Sequence, residues 1–138
     1  MLHKSIISDI KKSFKKTDFI NGNAVDKFEK DFAKFCKAKY AIGCSNGTDA
    51  LTVALKSFNF PKNSEVIIPA MTYCSTAFSI INAGLKPVLI DLKNNTPTID
   101  INILKEKISK KTKVIMPVHL YGSVAEIKKI KKLIKGKN

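Results

Sequence analysis

Arginine is missing from this chain. Its 138 residues carry 25 basic side chains against 11 acidic ones, for a formal net charge of +14, and every basic residue is a lysine. Base-specific contacts to nucleic acid lean on arginine's planar fork, which the point charge of lysine does not reproduce. The charge therefore predicts salt-sensitive attraction to polyanions and no specific nucleic-acid recognition. Cysteine is scarce as well. Cys36, Cys44 and Cys74 are odd in number and show no C-x-x-C spacing, so neither a disulfide framework nor a metal site is expected, and a reducing cytoplasm fits best. No stretch of 18 apolar residues occurs, and Met1 to Lys16 holds no apolar core of a secretory leader, so neither a membrane span nor export is expected. Internal repeats are lacking, and low complexity is confined to the Lys-rich end. Neither G-x-x-x-x-G-K-[ST] nor G-x-G-x-x-G is present, which removes the two commonest nucleotide-binding loops.

What is present is hydrophobic patterning on a chain of single-domain length, with an ordinary apolar fraction of 44%. Ile6, Ile7, Ile10 and Phe14 recur at helical spacing opposite Lys11, Lys12, Lys15 and Lys16, predicting an amphipathic surface helix that ends before Thr17 and Asp18. Asn21-Gly22-Asn23 is a turn signal. Val25, Phe28, Phe32 and Phe35 form one stripe of a second helix, from about Ala24 to Cys36, and are expected in the core.

The stretch that organises the rest is Tyr40 to Leu55, Y-A-I-G-C-S-N-G-T-D-A-L-T-V-A-L. It reads as a short strand, a tight turn at Ser45 to Gly47, and a helix. At such a helix start the backbone N–H groups of Gly47, Thr48 and Asp49 lack intrahelical acceptors and, with the positive end of the helix dipole, form a seat for an anion such as phosphate. Thr48 adds a hydroxyl donor, and Gly47 lets the main chain come close. A plainer reading stands beside this one, in which Asn46 or Ser45 is only an N-cap.

Three more strands follow: Glu65 to Pro69, with Val66-Ile67-Ile68 buried on both faces, then a buried Val88-Leu89-Ile90, then Lys113 to Pro117. Between them lie a helix broken by Gly84 and one carrying Ile101, Leu104 and Ile108 behind Asp100 as N-cap. A last helix is marked by Val124, Ile127, Ile130, Leu133 and Ile134. Four strands alternating with helices predict an α/β fold with a parallel sheet and right-handed crossovers. Its functional edge lies beyond the C-terminal strand ends, where Ser45 to Thr48, Pro69 to Tyr73, Asp91 to Leu92 and Pro117 to Gly122 meet.

Taken in order and spacing, S-N-G-T-D-A-L (Ser45 to Leu51), V-I-I-P-A-M-T-Y (Val66 to Tyr73), P-V-L-I-D (Pro87 to Asp91) and P-V-H-L-Y-G (Pro117 to Gly122) resemble the DegT/StrS family of pyridoxal-phosphate-dependent nucleotide-sugar aminotransferases. Phe19 to Ala33 resembles that family's N-terminal region, and the likeness runs from about Asp18 to the chain end. The resemblance implies a fold type I, aspartate-aminotransferase-like large domain over residues 37–138, mainly a parallel sheet with flanking helices, preceded by a helical segment at 1–36. It implies that Gly47 and Thr48 hold the phosphate of pyridoxal 5′-phosphate, that Asn46 borders it, and that Tyr73 lies against the pyridine face. His119 is a candidate substrate-side group. Glutamate is the implied amino donor, a nucleotide-linked keto sugar the implied acceptor, and a homodimer the implied assembly.

Two parts of the family pattern find no match here. In the family, the carboxylate for the ring nitrogen follows the helix matching Ser123 to Lys135, and the Schiff-base lysine lies further on. The sequence stops at Asn138, and none of its 25 lysines occupies that lysine's place. No catalytic residue is therefore assigned, and the expectation is a truncated N-terminal part, inactive and aggregation-prone alone. The alternatives are half of a split aminotransferase completed by a second chain, and a non-catalytic Lys-rich binding protein.

Overall fold

The computed structural model describes residues 2–17 and 19–135; Asp18, where the resemblance is expected to begin, and the last three residues lie outside the described residues. The chain packs as two compact units, Met1–Cys44 and Ser45–Asn138.

In the first unit, α1 (Leu2–Lys16) and α2 (Asn23–Phe35) flank the expected turn, where Asn21 takes a left-handed φ of 49° and the buried Gly22 is the N-cap of α2. The aromatic stripe of α2 forms as predicted, with Phe28 and Phe32 rings stacked 5.5 Å apart. Its expected burial is corrected: Phe28 is 60% and Phe35 83% exposed. The periodicity fixed which residues share a face, but within this unit only Ala33 of α2 is buried, so the stripe has little to pack against. The expected strand at Tyr40 to Cys44 is corrected too. That segment has no regular structure and makes no ladder among the described residues, and an apolar run becomes a strand only when a neighbour takes its N–H and C=O groups.

The second unit is an α/β layer structure. Among the described residues, three parallel strands run in the order β2-β1-β3, with β1 Glu65–Pro69, β2 Lys86–Ile90 and β3 Thr112–Ile115. The central strand behaves as predicted: Val66, Ile67 and Ile68 are wholly buried. Strand side chains alternate between faces, so Val66 and Ile68 join Leu55, Ile80 and Leu85 in one cluster. Ile67 joins Ile90, Ile99, Leu104 and Ile130 in the other. The first cluster lies under α3 (Gly47–Ser57) and α4 (Cys74–Asn82), and the second under α5 (Ile101–Lys107) and α6 (Ile127–Ile134).

Two further expectations shift. β2 is an edge strand, and Leu89 is 58% exposed, because an outside strand has neighbours on one side only. Helix α6 begins at Ile127, leaving Val124 exposed ahead of it. Asp100 caps α5 as predicted, its carboxylate accepting from the N–H groups of Asn102 and Ile103 at 2.6 and 3.3 Å. No helix among the described residues is long and apolar enough to cross a membrane.

Candidate functional site

Parallel strands place all their C-terminal ends at one edge, and the pairing carries past the strands there. Ala70 N–H donates to Ile90 C=O at 2.8 Å, and Met116 N–H to Ile67 C=O at 2.9 Å. The segment after β1 runs from this edge into α4, which packs against α3. Between the two helix starts lies an open cleft of about 780 Å³, lined by Asn46, Gly47, Thr48, Ala50, Leu51, Tyr73, Ser75 and Thr76. That volume falls in the range of small-molecule sites. Four of the five sequence-predicted residues, Asn46, Gly47, Thr48 and Tyr73, thus share one lining.

The helix start shows the cap and leaves two donors of the expected seat uncapped. Asn46 is the N-cap of α3 and its side-chain oxygen accepts from Asp49 N–H at 2.9 Å. Of the three donors expected to face an anion, Asp49's is therefore already taken. Those of Gly47 and Thr48 remain at the first turn, where no intrahelical acceptor exists. The Asp49 carboxylate is itself held, accepting from the Ser45 hydroxyl and from Asn46 Nδ2. This keeps a negative charge in the first turn, favourable to the helix dipole, tied to its own loop.

Gly47 carries no left-handed φ, and a Cβ built there meets nothing within 4 Å. Backbone strain does not require this glycine. What its missing side chain provides is room in front of the two open N–H groups, which is what a bound oxyanion needs. Thr48 is half-buried, and its hydroxyl donates to Ser75 Oγ at 2.9 Å. Tyr73 is the N-cap residue of α4 and 73% exposed, so its ring is a free flat surface on the cleft wall.

His119 is not part of that lining. Its Nδ1 accepts from Ala125 N–H at 3.0 Å, which places the ring proton of the neutral form on Nε2. The bond organises a tight turn in which Tyr121 and Gly122 adopt φ of 50° and 78°, and it satisfies the N–H of the buried Ala125. A larger hollow of about 870 Å³ runs along β3 but holds none of the predicted site residues. Ser75 and Thr76 line the cleft without having been singled out from the sequence. The available signal was their place in C-S-T, directly after Tyr73, at the start of a helix facing another helix start. No group of three or more metal-ligating side chains is found among the described residues.

Fold and cleft together define an α/β protein with an open cleft between two helix starts beyond the parallel strand ends. The chain belongs to the DegT/DnrJ/EryC1/StrS aminotransferase family, whose model matches residues 1–138. It is 42% identical over 120 residues to the dTDP-3-amino-3,6-dideoxy-alpha-D-galactopyranose transaminase of Aneurinibacillus thermoaerophilus, covering 87% of this chain and 33% of that protein. It is also 42% identical over 106 residues to the GDP-perosamine synthase of Caulobacter vibrioides, covering 77% of this chain and 29% of that protein. Among solved structures, S. venezuelae DesV in complex with a ketimine intermediate superposes with a TM-score of 0.89 at 28% identity, over 97% of this chain and 36% of that chain. E. coli GDP-4-keto-6-deoxy-D-mannose-3-dehydratase with bound hydrated PLP gives 0.85 at 30% identity, over 95% and 35%. The chain spans about a third of the length of the relatives it matches.

Proposed function

We propose that this chain is the cofactor-holding part of a pyridoxal-phosphate-dependent aminotransferase that acts in the cytoplasm on a nucleotide-linked keto sugar, with glutamate as amino donor and a homodimer as the working enzyme. In this reading residues 37–138 belong to the cofactor-binding large domain, and residues 1–36 form the helical segment ahead of it. The observation that carries it is the shared lining of Asn46, Gly47, Thr48 and Tyr73 between the starts of α3 and α4, in a chain of this family.

Each residue has a separate task. The N–H groups of Gly47 and Thr48 and the Thr48 hydroxyl donate to the cofactor's phosphate, aided by the positive end of α3. Asn46 closes the helix start beside them and orders the turn. Tyr73 offers its ring face to the pyridine, fixing its plane while leaving the reactive edge open. When bound, the cofactor supplies a protonated ring that accepts the electrons released at the carbon bearing the transferred amine. His119, anchored through Nδ1, retains a donor at Nε2 for a substrate oxygen. None of the 25 lysines is assigned the covalent role, and the 138 residues alone are expected to hold cofactor weakly and not to turn over.

The test is a titration with pyridoxamine 5′-phosphate, chosen because an aldehyde would react with lysines across the surface. Thr48→Ala should weaken it about tenfold, as loss of a hydrogen bond to a charged group implies, while pyridoxamine without phosphate is unaffected. Equal affinity of both proteins for the phosphate form would refute the seat.

A second reading has an observation of its own. Among the described residues the outer edge of β3 is unpaired in the three-stranded sheet, and the hollow beside it is lined by Phe60, Ile108, Val114, Ile115 and Ile134. Such an edge suits strand addition by a separate chain, as in a split aminotransferase. Restored transaminase activity on mixing with a polypeptide matching the remaining two thirds of a relative supports that version; mixing with no change in activity or size opposes it.

A further inference from the structure

We infer that Ser75 is a positioning residue of the phosphate seat, acting through Thr48 and holding its hydroxyl where it donates to a bound phosphate. The inference rests on the reading of the α3 start as that seat. The two hydroxyls stand 27 residues apart in sequence and 2.9 Å apart in space, Thr48 Oγ1 donating to Ser75 Oγ. One belongs to the first turn of α3 and the other to the first turn of α4. Both side chains are half-buried and both line the cleft. The Ser75 side chain makes no other hydrogen bond among the described residues, so its own hydroxyl proton is uncommitted.

A hydroxyl that accepts one bond and still has a proton to give lets the pair reverse. As an oxyanion arrives, the Thr48 O–H rotates to donate to it, and the Ser75 O–H donates to the Thr48 Oγ1 lone pair that this rotation brings to face it. The bond between the two side chains survives loading, and each bond in the chain from Ser75 to Thr48 to phosphate polarises the next. With alanine at 75, Thr48 exchanges a water for the phosphate, and nothing sets the direction of its hydroxyl. The other hydroxyl pair of this region, Thr72 with Thr76 at 2.9 Å, includes neither residue, so it does not substitute for the lost contact.

The experiment is a fluorescence titration of the 138-residue protein with pyridoxamine 5′-phosphate, and with pyridoxamine as control. Salt at about 0.5 M suppresses attraction to the overall positive charge. Ser75→Ala should weaken the phosphate ligand about three- to tenfold, the range for one net hydrogen bond, and leave pyridoxamine unchanged. Ser75→Thr, which keeps the hydroxyl, should restore binding. In a Thr48→Ala background Ser75→Ala should have no further effect, because the pair acts as one unit. Wild-type affinity in Ser75→Ala, equal weakening of both ligands, or effects that simply add to those of Thr48→Ala would each overturn the inference. If Thr48→Ala and wild type bind alike, the phosphate-seat reading itself fails, and the role of Ser75 falls with it. Should Ser75→Ala lose its helical circular dichroism, Ser75→Cys takes its place with the same expected weakening, since a thiol of similar size keeps little hydrogen-bonding capacity.

Discussion

Gly47 separates two roles that usually coincide. Because its φ is not left-handed and a Cβ finds open space, Gly47→Ala should not strain the fold. Replacing glycine in a helical first turn should stabilise the protein by about 0.5 kcal/mol through the unfolded chain, seen as a small rise in Tm. The same methyl stands before the open N–H groups, so affinity for pyridoxamine 5′-phosphate should fall. A lower Tm would show that the glycine is there for the backbone. Asn46 behaves oppositely: its bond to Asp49 N–H makes Asn46→Ala cost about 1 kcal/mol of stability, the usual value of an N-cap, measurable by urea unfolding. These residues were legible in the sequence because turn formers before an apolar run announce a helix start. Ser75 was not, because its partner is 27 residues away and no local pattern reports a contact made by two helices meeting over a sheet edge.

The central strand shows how far patterning reaches at the level of elements. The run Val66-Ile67-Ile68 says that both faces are covered, and burial on both sides follows. Ile67→Ala should cost about 2–5 kcal/mol, the range for truncating a buried aliphatic side chain, whereas Leu89→Lys on the exposed side of β2 should stay within about 0.5 kcal/mol; denaturant midpoints of the two variants check this. Val88-Leu89-Ile90 carries the same signal as the central run, yet β2 sits at an edge. Strand order, which hydrophobicity does not encode, decides the difference. Likewise Tyr40 to Cys44 has the composition of a strand and no ladder partner among the described residues. At the start of α6, the Lys129 ammonium donates to Glu126 at 2.5 Å and holds its carboxyl below the usual range, with Lys93 adding attraction from 3.8 Å. A depressed carboxyl stabilises the fold at neutral pH, and that contribution is lost as pH falls through the folded pKa. Glu126→Gln should therefore lower Tm slightly at pH 7 and match wild type once both are strongly acidified.

For the whole molecule, surfaces that an ordinary domain would cover are open. The α2 stripe is exposed, the β3 edge is unpaired among the described residues, and the chain spans about a third of its relatives' length. An uncovered strand edge is a template for self-association, so light scattering should rise with protein concentration more steeply at high salt, where the charge of +14 no longer keeps molecules apart. Scattering that stays flat in salt would mean that the edge is protected. Whether the start of α3 holds a phosphate is read residue by residue from amide NMR during titration with pyridoxamine 5′-phosphate at about 0.5 M salt. A phosphate held there gives saturable shifts at Gly47 and Thr48, with the Tyr73 ring signals moving alongside. Shifts scattered over the lysine-bearing face of α6 while Gly47 and Thr48 stay still would contradict it.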